Sequence, residues 1–172
     1  MAWIPIGYDI SVANSTLETD EFTPYMFNFL IINTGMQSYY NMNPEVRFGA
    51  GASLDGGNHY ANRVETNGGT SVSTTDNDSI YSGFDGIKGL TIMYASNNPI
   101  VDKLVIWETV SNNDNGTIGQ YPAERKTGVG KWVEDDSGSA PYNTASFDIT
   151  GCGGGRSNRT GAQINIFGTG EF

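Results

Sequence analysis

From end to end the chain alternates short runs of aromatic and β-branched residues with long segments of Gly, Asn, Ser and Asp. The runs Tyr25-Met-Phe-Asn-Phe-Leu-Ile-Ile32 and Leu104-Val-Ile-Trp-Glu-Thr-Val110 have the side-chain shapes that pack well on a pleated, half-buried surface. Between such runs, Ser111-Asn-Asn-Asp-Asn-Gly116 and Gly151-Cys-Gly-Gly-Gly-Arg-Ser-Asn158 supply the residues that turns require. Helix is expected to be scarce, and the fold class is all-β.

Strands are expected at about 3–12, 25–32, 45–48, 58–66, 89–94, 101–110, 127–133, 144–150 and 161–167. The polar segment 70–79 reads as an edge strand or a loop, since a polar edge keeps a sheet from pairing with strangers. Eight to ten short strands at this spacing predict an antiparallel β-sandwich of jelly-roll type. Pro5 lacks a backbone donor, which places residues 1–14 at a sheet edge or in an arm. In the second run Tyr25, Phe27, Phe29 and Ile31 share one face, while Met26, Leu30 and Ile32 make the other nearly as apolar. That pattern predicts a central strand covered on both sides. Trp107 shares a face with Val101, Lys103, Val105 and Thr109 and reads as a core anchor.

At 172 residues the chain suits a single domain over 1–172, long enough to bury roughly 70% of its unfolded surface without metal or disulfide staples. Hydrophobic content of 37%, with 12% aromatics, is too high for a disordered chain. The net charge of −10, with nine scattered basic residues, argues against binding nucleic acid, whose affinity comes largely from clustered Lys and Arg. A single Cys forms no intrachain disulfide. The opening Met-Ala-Trp-Ile-Pro-Ile-Gly lacks the basic and apolar regions of a signal peptide, and no apolar stretch approaches the ~20 residues of a membrane helix. Synthesis in a cytoplasm without membrane insertion is therefore expected. Asn-x-Ser/Thr triplets at Asn14, Asn77, Asn115 and Asn158 read as turns.

Chemistry-bearing residues are sparse. A nucleophilic site would need His59 to orient Cys152 or one particular Ser, with a third group behind it, and a loop-edge His is more often simply polar. The carboxylates of Asp76-Asn-Asp78 and Glu134-Asp-Asp136 suit a hard cation, yet neither segment continues into a full calcium loop. No cofactor and no metal is expected, with calcium as the alternative. Gly151–Gly155 lacks the Gly-Lys-Ser/Thr ending of a phosphate loop. The 19 acids offer no spacing that selects a glycosidase pair. The chain reads as a binding or building protein, with no catalytic residues.

Several segments together resemble a family of small virion proteins of tailed bacteriophages, assigned to tail, fibre or head surface. The likeness rests on the aromatic strand Met26–Ile32, the strand Val46-Arg-Phe48, a Gly-rich turn with Tyr60-Ala-Asn-Arg63, and Gly130-Lys-Trp132. It continues through a strand near Thr144 and a Gly-rich loop to the closing Ala162-Gln-Ile-Asn-Ile-Phe-Gly168. Gly49-Ala-Gly-Ala stands where the family has Asn-Gly-Asp. The resemblance implies a jelly-roll sandwich displayed on a virion as a capsid decoration or tail-associated subunit, made in the host cytoplasm. Its partners would be major capsid or tail proteins and further copies of itself, a trimer by analogy. The alternative function is a carbohydrate-binding module or adhesin that recognises a host-surface glycan through loop aromatics. Candidate ligand or partner contacts are Tyr39, Tyr40, Tyr121, Trp132 and Tyr142.

Overall fold

The computed structural model describes residues 2–10, 19, 23, 25–35, 44–49, 55–81, 88–98, 102–111, 123–133, 149–151 and 163–170. They form β1 (Ile4–Ile10), β2 (Phe27–Gly35), β3 (Pro44–Val46), β4 (Tyr60–Thr66), β5 (Val72–Asn77) and β6 (Ile80–Tyr81). There follow β7 (Lys88–Ser96), β8 (Lys103–Ser111), β9 (Glu124–Trp132), β10 (Ile149–Gly151) and β11 (Gln163–Thr169). Eight strands make one sheet in the order β1-β11-β2-β7-β8-β9-β4-β5, and β10-β3-β6 make a small second sheet. Every pairing is antiparallel.

The fold is all-β and sandwich-like, as expected, but its layers are unequal, and the jelly-roll part of that expectation is not established by this strand order. Pro5 does lie on an edge strand, β1, where the register shifts between Pro5 and Gly7. The polar segment in the seventies forms the opposite edge, β5.

Period-two alternation decides what is buried. In β8, Lys103, Val105, Trp107, Thr109 and Ser111 point to the inner face, toward the small sheet, and Leu104, Ile106, Glu108 and Val110 point away. The inner face gathers Leu30, Ile32, Met93, Val105, Trp107, Ile164 and Ile166 into one core with Val46, Phe48 and Ile80. Trp107 is thus the core anchor its neighbours suggested. It sits over Gly128, its cross-strand partner, whose missing Cβ leaves room for the indole. Some polar inner positions are matched locally: the Thr91 and Thr109 hydroxyls meet at 2.7 Å, and Lys103 Nζ donates to the Asn98 carbonyl at 2.6 Å.

The small sheet is stapled to one end of this face. Phe48, Tyr60 and Trp132 form a ring cluster with centroids 6.3–6.4 Å apart. Arg47 reaches Asp78 with a 2.6 Å ion pair and donates to the Asp78 carbonyl at 3.1 Å.

Candidate functional site

The face of the large sheet turned away from the small one is where the structure departs from an ordinary soluble surface. Cross-strand register aligns Arg63, Val129, Ile106, Tyr94, Phe29 and Phe167 in a single row across six strands. Ile31 and Ile92 stand in the adjacent row, with Leu90 and Val110 beyond them. Leu104 and Phe27 extend the apolar area on the other side. Ile106 is 62% exposed, Leu104 55% and Tyr94 50%. Scattered apolar side chains are normal on a surface; a contiguous run of this width marks a contact site.

Aromatic contacts organise the centre. Phe29 and Tyr94 stack at 4.8 Å, and Trp3, ahead of β1, leans on both at 5.7 and 6.4 Å. The strand β2 is therefore central, but its second face is only partly covered, contrary to the expectation of two covered faces. Trp3 shields Phe29, while Phe27 stays about half exposed. A shallow trough of about 650 Å³ runs beside this cluster between Tyr94, Ile106 and Val129. Two charged pairs share this face: Arg125 with Glu108 at 2.7 Å, Glu108 standing beside Ile92 between Ile106 and Val110, and Lys131 with Asp102 at 3.3 Å at the Leu104 end. Apolar side chains interspersed with a few charged pairs are compatible with a protein–protein interface.

The other constellation is chemical in type. The Asp55 carboxylate accepts from the Gly57 N–H at 2.8 Å through Oδ1, and its Oδ2 meets both His59 Nδ1 at 2.7 Å and the Trp132 indole N–H. Burial pulls the Asp55 carboxyl upward, but the hydrogen bonds from Trp132, Gly57 and His59 and the His59 charge together hold it below its ordinary value. Beside it, the Tyr60 hydroxyl accepts from the Phe48 N–H at 2.9 Å and faces the Asp55 and Phe48 carbonyls at 3.0 and 3.2 Å. Burial pushes that phenol far above its ordinary range. An Asp–His pair is the orienting half of a nucleophilic triad. Here the same carboxylate also ties the end of β9 to the loop before β4, its neighbour in the large sheet, so it acts as a clamp on that loop. Cys152 lies outside the described residues.

Trp132, expected as a contact residue, is instead 1% exposed and committed to this clamp; the correction follows from the strand's alternation, which turns it inward with Gly128 and Lys126. Tyr39, Tyr40, Tyr121 and Tyr142 lie outside the described residues, as does Glu134-Asp-Asp136. Of the other acidic triplet, Asp78 is engaged by Arg47. Among the described residues no three His, Cys, Asp or Glu come together as a metal site, and no helix is long and apolar enough to cross a membrane.

No family model, curated protein or solved structure matches this chain.

Proposed function

We propose that this protein is a non-catalytic building block of a tailed-phage virion, a capsid decoration or tail-associated subunit held by its outer sheet face. The observation that carries the reading is the contiguous apolar row from Val129 to Phe167 with its half-exposed centre. Five strands spaced ~4.8 Å apart and about nine residues long give this face roughly 700 Å². That is close to the ~800 Å² each partner contributes to a stable interface. The virion setting rests on the sequence likeness, and the acidic charge of −10 suits a particle exterior that must not adhere to nucleic acid.

The partner is a capsid or tail protein, or a second copy in an oligomer, and the test treats both. Ile106→Lys places a charge at the middle of the row. Burying Ile106 at a contact contributes on the order of 1–2 kcal/mol, and an unpaired lysine there costs more. Association should weaken by about 100-fold, while circular dichroism and the unfolding midpoint stay put, because the position is exposed. Analytical ultracentrifugation reads self-association, and co-sedimentation with particles lacking the subunit reads incorporation. A wild-type chain that stays monomeric and off the particle, or a variant that associates as well as wild type, would refute the proposal.

A further inference from the structure

If the outer face is a docking surface, as proposed above, the layout of its side chains selects the occupant. The charged side chains described around the apolar row are three cations, Arg63, Arg125 and Lys131, and three anions, Glu65, Asp102 and Glu108. The net charge of −10 therefore lies elsewhere on the chain, and two acidic copies could meet here without stacking their surplus charge. Pairing through the sheet edges is discouraged at both ends. β1 carries Pro5 with a register shift beside it, and β5 is polar, with a register shift against β4 and a positive φ at Asp76. Such features blunt an edge, which leaves the face.

Consider a two-fold axis laid along the row Val129, Ile106, Tyr94 and Phe29. Each strand then meets its own copy, and positions on one side of the row pass over those on the other. Stacked sheets lie ~10 Å apart with their strands within about 30° of one another. On one side of the row the register runs Glu65, Thr127, Glu108, Ile92, and beyond it Arg125 stands level with Val110. On the other side Lys131 stands level with Leu104, and Asp102 precedes it by one outward step. The rotation sets Lys131 of the second copy over Thr127, between Glu65 and Glu108. It sets Asp102 of that copy over Val110, beside Arg125. Cations thus meet anions on both sides of the axis. The same rotation carries Leu104, more than half exposed, over the trough beside Ile106, whose lining includes the small Thr127 and Gly128.

We infer that the outer face is the contact of a two-fold dimer of this chain, with the axis along the Ile106–Tyr94 row. Roughly 700 Å² from each copy gives about 1,400 Å² in all, within the ~1,200–2,000 Å² of stable complexes. A self-complementary face closes after two copies, so the assembly stops there. A strongly charged partner of either sign would meet as much repulsion as attraction on a face whose charges cancel.

The test is sedimentation equilibrium of the full chain with variants at position 106, where the axis sets each side chain against its own copy. The wild type should sediment at twice the chain mass at about 10 μM. Ile106→Lys and Ile106→Glu should each weaken the dimer by about 100-fold, because like charges are set face to face, and an equal mixture of the two should regain at least about tenfold as a mixed dimer. Lys131→Glu, at an exposed position away from the apolar centre, should weaken it by about tenfold. A wild-type chain still monomeric at about 100 μM, a trimer, or a mixture that regains nothing would overturn the dimer. If Ile106→Lys nevertheless fails to co-sediment with particles, the docking reading stands with another occupant. A dimer indifferent to both charges at position 106 would overturn its placement on this face, and unaltered co-sedimentation would then remove the docking reading as well.

Discussion

Gly128→Ala is the sharpest probe of the arrangement on which the outer face depends. A Cβ at position 128 would stand 2.2 Å from Cζ2, 2.3 Å from Cε2 and 2.8 Å from Nε1 of Trp107. Ordinary carbon contacts lie at ~3.5–4.0 Å, so the indole would have to move by more than about 1 Å. It has little room to do so, being 2% exposed with Met93 on its other cross-strand side. Overpacking of this kind costs about 1–3 kcal/mol. Replacing Gly by Ala within a strand returns roughly 0.5–1 kcal/mol of that through lower chain entropy. A net loss of about 1 kcal/mol is expected, measured by urea unfolding followed by far-UV circular dichroism.

The decisive arm is the double-mutant cycle with Trp107→Leu. Trimming the indole is itself destabilising, by about 3 kcal/mol or more, but it removes the atoms that the new methyl group meets. In that background Gly128→Ala should be neutral or mildly stabilising, giving a coupling of about 1–3 kcal/mol. A loss under about 0.5 kcal/mol in the otherwise native chain, or the same loss in both backgrounds, would refute the pairing of Trp107 with Gly128. The consequence reaches function, because a one-residue slip would bring Val129 opposite Trp107 and exchange the two faces. Ile106 would then be a core residue.

Two further outcomes concern the clamp. Tyr60→Phe strips the hydroxyl that serves the Phe48 N–H and the Asp55 and Phe48 carbonyls, and should lower stability by about 1–3 kcal/mol in the same denaturation assay. Because the Asp55 pKa is depressed in the folded chain, its contribution is fully present above the unfolded-state value of ~3.9 and is lost as pH falls through the folded-state value. Asp55→Asn should therefore flatten the stability–pH curve in the acid limb below about pH 4, while a variant with an unaltered acid limb would show that the carboxylate is not held as described.

Most strand positions were legible because alternation and turn residues are local properties; of the strand expected at 144–150, residues 144–148 lie outside the described residues. Which face of a strand turns inward was less so. In β8 the outward side carries Leu104, Ile106 and Val110, and the inward side includes Lys103, Thr109 and Ser111, so hydrophobicity alone points to no single side. Trp107 resolves the choice, and it was readable as an anchor because an indole is too large to leave among Val105 and Thr109 on an open surface. In β2 both faces are apolar, which predicts two covers; the structure supplies one cover in the small sheet's side of the fold and a partial one in Trp3. That contact joins residues far apart in the chain and left no local trace. The same holds for the Asp55–Trp132 bond, between residues 77 positions apart, which turned an expected contact residue into a buried one. β6 has two residues, too few for any period.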